Sequence, residues 1–98
     1  MYTYTVKLEL KPSLQQEMVE YLYNKHQPDL VKTGCFLDYT LEVDTTTGEV
    51  IARYKCESQE MFEQYIEKHA DNLRNEVMQL FPDGIISANR NFCKMIKY

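Results

Sequence analysis

The chain has 98 residues, which suffice for one domain with a modest hydrophobic core and are too few for two domains. Fifteen acidic residues against eleven basic ones give a net charge of -4, and the basic residues are scattered, so neither nucleic acid nor an anionic membrane is an expected partner. No run approaches the roughly 18 apolar residues of a membrane span, and the N-terminus lacks the features of a signal peptide. We therefore expect a cytoplasmic protein in which residues 1–98 form a single domain.

The three cysteines are odd in number, lie far apart and form no C-x-x-C pair. This spacing argues against a disulfide framework and against a zinc site. We expect Cys35, Cys56 and Cys93 to be reduced thiols that bind no metal, and we expect no cofactor.

The first third of the chain predicts a strand followed by an interrupted helix. Apolar residues alternate with polar ones from Tyr2 to Leu10, which is typical of a half-buried strand. Ser13 and Gln16 have the spacing of a capping box, so the first helix is predicted to begin at Ser13. Pro28 lacks the amide proton that a continuing helix needs and predicts a break or a new short turn, and Gly34 suits the exit from that segment.

A β-hairpin is predicted to follow. Apolar residues alternate with polar ones from Cys35 to Asp44, so the second strand is predicted to begin at Cys35. The segment from Thr45 to Gly48 is typical of a hairpin turn, and the alternation resumes from Val50 to Cys56 in a third strand. The side chains of the second strand that are predicted to face the core are Cys35, Leu37, Tyr39, Leu41 and Val43.

The last part of the chain predicts a second helix and a fourth strand. Ser58 is placed to cap this helix, whose broad apolar stripe runs to Phe81 and ends at the Pro-Asp-Gly sequence of residues 82–84. The segment from Ile85 to Tyr98 is predicted to be strand four. Its fourteen residues would reach about 45 Å at roughly 3.3 Å per residue, more than strand one can pair with, so we expect the tail after Asn91 to contact a second subunit.

The element order β-α-β-β-α-β predicts an α+β fold of the ferredoxin-like type, with a four-stranded antiparallel sheet and two helices on one face. This fold supports many unrelated functions, so each must be tested by its own residues. Strand three, VIARYKCES, lacks the basic-glycine-aromatic pattern of an RNA-recognition module. The first loop, KPSLQQ, has neither the paired cysteines of a metal carrier nor the glycine-rich sequence of a phosphate-binding enzyme.

Two histidines carry what chemistry the sequence offers. His26 and His69 fall on or beside the apolar stripes of the two helices, which cover the same sheet face. One interpretation is that both imidazoles line a single cavity between helices and sheet, where either would serve as a catalytic base. The alternative is that each is a packed, hydrogen-bonded residue near a helix end. The ligand-binding candidates are His26, His69, Tyr4, Tyr39, Tyr54 and Tyr65.

The segment HQPDLVKTGCF, together with EKHADNLRNE in the second helix, resembles a family of small bacterial proteins known only as a domain of unknown function. That family is placed among the dimeric α/β-barrel proteins, and the resemblance extends over almost the whole chain in element order. It implies a homodimer in which two sheets face each other, with a ligand cavity between helices and sheet in each subunit. It brings no established activity.

Better-known members of that superfamily are cofactor-independent quinol monooxygenases and haem-degrading enzymes, whose sites rely on tryptophan and asparagine beside a histidine. This chain has no tryptophan and no asparagine on strand one, so none of those activities is assigned to a residue. The sheet face expected at the dimer interface is also more charged than most obligate interfaces. Its charged residues are Lys7, Glu9, Glu42, Arg53 and Lys55.

Three functions remain open from the sequence. The first, which we favour, is a homodimer that binds a small hydrophobic or aromatic ligand between helices and sheet. The second is a cofactor-independent enzyme, acting by proton transfer or as a monooxygenase on an aromatic substrate, with His26 or His69 as base and a tyrosine as orienting donor. The third is a protein-interaction module.

Overall fold

The computed structural model describes residues 1–97 and confirms the predicted order of elements. Its strands are β1 (Tyr2–Leu10), β2 (Asp38–Val43), β3 (Val50–Cys56) and β4 (Ile85–Lys94). They form one antiparallel sheet in the order β2-β3-β1-β4. The predicted α+β fold of the ferredoxin-like type is therefore confirmed. No helix within residues 1–97 is long and apolar enough to span a bilayer.

The central strand β1 has an inner face, which the helices cover, and an outer face. Tyr4, Val6 and Leu8 point inward and are buried, whereas the polar residues between them are only partly buried. Tyr4 lies opposite Tyr54 on β3 and opposite Phe92 on β4, so the three rings share the inner face. Each buried apolar side chain of this kind contributes about 1.5–3 kcal/mol, which explains why the alternation specifies the strand.

The first helical segment is interrupted, but the interruption precedes the proline. The segment begins with a 3-10 turn (Pro12–Leu14), continues as α1 (Gln15–Tyr21) and one π-helical turn (Leu22–His26), and ends as α2 (Gln27–Lys32). Pro28 lies in the first turn of α2, where its missing amide proton costs nothing. The helical backbone therefore continues through Pro28, and in place of the predicted break there is a wide turn directly before this residue.

The two helical segments begin by different means. The predicted capping box at Ser13 is wrong, because Ser13 lies exposed inside the 3-10 turn and neither that turn nor α1 has a side-chain cap. The Leu14 N–H instead donates to the Lys11 carbonyl oxygen at 2.9 Å. Ser58 does cap the second segment as predicted, since its Oγ accepts a hydrogen bond from the Met61 N–H at 3.1 Å.

The second helical segment is two helices rather than the single helix that was predicted. They are α3 (Gln59–Lys68) and α4 (Ala70–Leu80), and His69 between them has a non-helical backbone with φ -128°. Tyr65 of α3 and Val77 of α4 are buried against the sheet. The break allows both helices to contribute to one core.

The loop between α2 and β2 differs from the prediction. Gly34 ends α2 with φ +83°, as expected for a left-handed exit. β2 then begins at Asp38 rather than at Cys35, and the alternation predicted across the loop is wrong. Cys35 and Phe36 are both buried, whereas Leu37 is 53% exposed. The loop bends so that consecutive side chains, instead of alternate ones, enter the core.

The predicted hairpin between β2 and β3 is confirmed. Asp44 Oδ1 accepts a hydrogen bond from the Thr46 N–H at 2.8 Å, and Gly48 adopts φ +79°. β2 is an edge strand, so Val43, which was predicted to face the core, is 40% exposed at its end.

Strand β4 ends at Lys94, so the prediction that it continues to Tyr98 is wrong. It pairs along the whole of β1, from Tyr2 opposite Lys94 to Leu10 opposite Ile85, with one bulge that leaves Ile86 without a partner on β1. The chain leaves the sheet at Met95, and Tyr98 lies outside the described residues.

Candidate functional site

A cavity of about 120 Å³ lies between the inner face of the sheet and the helices. Its apolar lining includes Val6, Leu8, Ala52, Leu22, Leu30 and Val77. The sheet supplies half of these side chains and the helices the other half, so the cavity forms where the two layers leave a gap in the core. A concave, mostly apolar space with a few polar groups is the usual form of a small-molecule site.

The cavity opens along the edge strand β4. Met78 and Arg90 both line it and are both exposed to solvent. From residue 86 to residue 91 every residue of β4 is exposed, on both faces of the sheet, so the helices do not cover this part of the strand. The cavity is therefore open to solvent beside β4.

Three tyrosines of an aromatic cluster line the cavity. Tyr4 and Tyr54 lie opposite each other on β1 and β3, with ring centroids 5.7 Å apart. The Phe36 ring packs edge to face on Tyr65 at 4.9 Å, and the Phe62 ring lies 4.8 Å from Tyr4. Burial raises the pKa of the Tyr54 and Tyr65 hydroxyls, which stay protonated at neutral pH, and the Gln27 side chain opposes this shift at Tyr54.

His26 lies in the cavity at the end of the π-helical turn, a feature that occurs frequently at functional sites. Its Nδ1 atom is buried without a hydrogen-bond partner among the residues that the structure describes. Burial lowers the pKa of His26 from 6.5 to about 4; Asp29 opposes this shift, and the charges of Arg74 and Arg90 add to it. The imidazole is therefore neutral at pH 7 and has one nitrogen that can accept a hydrogen bond.

Two arginines give the cavity a positive side. Arg74, on α4, donates a hydrogen bond from Nη2 to Tyr4 Oη at 3.2 Å. Arg90, on β4, is paired in register with Val6 and so lies on the inner face. Within residues 1–97 neither guanidinium forms a salt bridge, and no acidic residue lines the cavity. Both charges therefore stay uncompensated beside a largely apolar space.

Sequence reasoning missed three polar residues of this region, Arg74, Arg90 and Gln27. Arg90 shares strand parity with Phe92, and Arg74 precedes Val77 by about one helical turn, so the periodicity held a signal for both. Because arginines are mostly exposed in proteins, their position on the buried face of an element is easily overlooked. Gln27 is fully buried, and its Nε2 donates to a backbone carbonyl oxygen of β2 at 2.8 Å, which ties α2 to the sheet.

The structure brings some of the sequence candidates together and separates others. Those that line the cavity are His26, Tyr4, Tyr54 and Tyr65. Among the described residues the lining does not include His69, which lies at the junction of α3 and α4. Tyr39 lines a second hollow next to the outer face of the sheet. The hypothesis that both histidines share one cavity therefore has no support in the geometry.

The cysteines lie away from this cavity. Cys35, Cys56 and Cys93 are free thiols, and the Cys56 Sγ donates to the carbonyl oxygens of Cys35 at 3.4 Å and Ser58 at 3.1 Å. Burial raises the pKa of the Cys56 thiol, which keeps it protonated and unreactive. In the described part of the chain, no three His, Cys, Asp or Glu side chains are grouped to hold a metal ion.

The likeness to known proteins covers nearly the whole chain. A family profile described as a domain of unknown function, DUF4286, matches residues 1–94. The chain belongs to this family. The description of the DUF4286 family names no activity, and no curated protein matches this DUF4286 sequence.

Several solved structures have the same fold as this DUF4286 chain. A monooxygenase from the gene ActVA-Orf6 of Streptomyces coelicolor, in complex with the ligand Nanaomycin D, has a TM-score of 0.77 and 18% identity, covering 99% of this chain and 88% of that one. SnoaB, a cofactor-independent oxygenase from Streptomyces nogalater, has a TM-score of 0.77 and 8% identity, with 99% and 94% covered. At3g17210 from Arabidopsis thaliana has a TM-score of 0.70 and 15% identity, with 100% and 98% covered. At such low identities the likeness shows the fold alone.

Proposed function

We propose that this member of the DUF4286 family binds a small, largely apolar ligand in the cavity between the inner sheet face and the helices. The observation that carries the proposal is a preformed space of about 120 Å³ lined by His26, a residue whose buried Nδ1 atom has no partner among the described residues. An engineered apolar cavity of about 150 Å³ in another protein binds benzene. The cavity therefore suits one ring, and any further part of the ligand would extend through the mouth beside β4.

A few polar atoms would orient this ligand. The protonated hydroxyls of Tyr54 and Tyr65 can donate hydrogen bonds, and the Tyr4 hydroxyl already accepts one from Arg74. A ligand atom that pairs with His26 Nδ1 would remove the cost of an unsatisfied buried polar group, which is about 1–3 kcal/mol. These contacts give the apolar cavity a preference for ligands with at least one oxygen atom.

A cofactor-independent enzyme is the second candidate function, because two structural neighbours are named as a monooxygenase and a cofactor-independent oxygenase. In that function His26 would take a proton from a ligand hydroxyl. A pKa of about 4 makes His26 a weak base at pH 7, so binding without turnover stays our first proposal. If the chain consumes oxygen in the presence of a bound ring compound, and His26→Gln abolishes this oxygen uptake, the enzyme would be favoured instead.

The proposed binding unit is a homodimer in the cytoplasm. Met95 and Ile96, which follow β4, are exposed apolar residues that a second copy would cover. On the outer face Arg53 pairs with Glu42 within one subunit, so two of the charges that two facing sheets would bring together already have a partner. A pure interaction module, the third candidate, would use the same surface and leave the cavity empty.

Filling the cavity tests the proposal. Ala52 is buried in the cavity wall on β3, and Ala52→Leu places a branched apolar side chain in that space. We expect the unmodified chain to bind benzyl alcohol, seen as NMR shift changes of the cavity residues, and the Ala52→Leu variant to lose this binding while it stays folded by circular dichroism. The matched control is Ala70→Leu, which makes the same change at a buried position of α4 outside the cavity lining of residues 1–97 and should bind normally. Equal binding by both variants would refute the proposal.

A further inference from the structure

The positive side of the cavity has no role in a purely apolar site. Arg74 and Arg90 line it without an acidic partner among residues 1–97, in a chain whose net charge is -4. Arg74 is partly buried, and Arg90 lies at the mouth. Two guanidinium groups that line one space repel each other, and partial burial costs Arg74 some of its hydration; both costs are offset when an anion lies between the two groups.

We propose that the ligand is a single-ring monocarboxylate, whose ring fills the cavity and whose carboxylate binds Arg74 and Arg90 at the mouth. This inference rests on the proposed function and adds the chemical class of the ligand. The cavity volume of about 120 Å³ suits a single ring, and the two arginines in its lining suit a carboxylate.

The arginines reach the same region from different elements. Arg74 comes from α4, where its Nη2 lies 3.2 Å from Tyr4 Oη, and Arg90 comes from β4 opposite Val6. Both arginines line the same cavity as His26 and Tyr65. An anion at the mouth would therefore meet both guanidinium groups, while its ring meets the tyrosines.

A carboxylate suits this arrangement better than a phosphate. The two oxygens of a carboxylate match the planar fork of a guanidinium, which can hold them with paired hydrogen bonds. Phosphate sites commonly add backbone N–H groups at the start of a helix. The mouth of this cavity is formed instead by Met78, near the end of α4, and by Arg90 within β4.

The first test compares three probes that share one ring: benzoate, benzyl alcohol and phenyl phosphate. Isothermal titration calorimetry with the full chain at pH 7 and low salt gives each affinity. Because hydrogen bonds between charged groups are the strong ones, we expect benzoate to bind at least about tenfold more tightly than benzyl alcohol. Phenyl phosphate should bind more weakly than benzoate.

The second test removes one arginine. Arg90→Met replaces the guanidinium at the mouth by an apolar side chain of similar reach. We expect the affinity for benzoate to fall about tenfold and the affinity for benzyl alcohol to change by less than about twofold. The matched control is Arg53→Met, which removes the same charge from the outer face, where Arg53 pairs with Glu42, and should alter neither affinity. Thermal melts establish that each variant is folded, and the comparison of probes needs no variant at all.

The outcomes separate the two proposals. Equal binding of benzoate and benzyl alcohol by the unmodified chain would leave the apolar cavity function intact and overturn the carboxylate. Tighter binding of phenyl phosphate than of benzoate, or the same loss of benzoate affinity in Arg90→Met and Arg53→Met, would overturn it as well. If none of the three probes binds, the proposed function and this inference both fail.

Discussion

The imidazole of His26 is held neutral at a pH where an exposed histidine begins to take up a proton. Burial is the main cause, and the surrounding charges act in both directions. The charged and titratable groups on the elements around it are Lys25 and Asp29 on its own helical segment, Arg74 on α4, Arg90 on β4, and the cavity residues Tyr4, Tyr54 and Tyr65. Of these, Asp29 alone favours the protonated ring.

We predict that His26 makes the fold sensitive to acid. Its pKa is about 4 in the folded chain against an ordinary value of 6.5, so the unfolded chain binds the proton first as the pH falls. Above pH 6.5 His26 should have no effect on the free energy of unfolding, and between pH 6.5 and 4 that free energy should fall by up to about 3 kcal/mol.

Urea unfolding at several pH values between 7 and 4 measures this effect. His26→Gln should lose this part of the pH dependence, because glutamine does not titrate. His69→Gln, which lies outside the cavity lining, is the control and should keep it. The same pH dependence in both variants would contradict the assignment to His26.

Among the elements, the start of each helical segment yields a matched pair of predictions. Ser58→Ala removes the oxygen that accepts the Met61 N–H, so we expect a loss of about 1 kcal/mol and a fall in melting temperature of roughly 4–8 °C. Ser13→Ala changes an exposed residue in a turn without a side-chain cap and should stay within about 0.5 kcal/mol of the unmodified chain. Calorimetric melts compare the two. An equal loss in both variants would show that the capping box at Ser13 exists in solution.

The π-helical turn explains how the first helical segment keeps one face on the core. At about 100° per residue, the eight residues from Leu22 to Leu30 would turn a regular helix about 80° out of line. The wide turn takes up one residue, which leaves the two side chains about 20° apart, and both are buried. The wide turn at residues 22–26 lies directly before Pro28, so the helical segment keeps its face on the core without the break that the proline predicted.

For the whole molecule, the segment after Lys94 is the candidate contact with a second subunit. Because the pairing of β4 with β1 ends at Lys94, a deletion after this position keeps every strand pair, removes the exposed Met95 and Ile96, and loses one backbone hydrogen bond, from the Met95 N–H to the Met1 carbonyl oxygen. We predict that the deletion shifts the protein from dimer towards monomer at micromolar concentration in analytical ultracentrifugation.

The control for this prediction is Leu80→Asp, which alters an exposed apolar residue on the helical layer and should leave the association state unchanged. An unchanged dimer after the deletion would exclude the tail from the interface. A full-length chain that is already monomeric would exclude the homodimer itself.

Local patterns were enough to establish the order of elements, the inner face of β1 and the inward position of His26. Strand alternation and helix spacing report which side of an element meets an apolar core, and that information lies within a few neighbouring residues. The same reasoning found Tyr4, Tyr54 and Tyr65. It failed for Phe36, because a loop has no period to read.

Three-dimensional packing alone established which polar groups meet. Arg74 and Arg90 join His26 from α4 and β4, and nothing in their local sequence states how closely those elements approach the first helical segment. His69 has a helical spacing much like that of His26, yet it lies outside the cavity because the helix breaks at that residue. A cavity is a gap between elements that are distant in the chain, so its lining depends on how the two layers fit together and not on the pattern within either one.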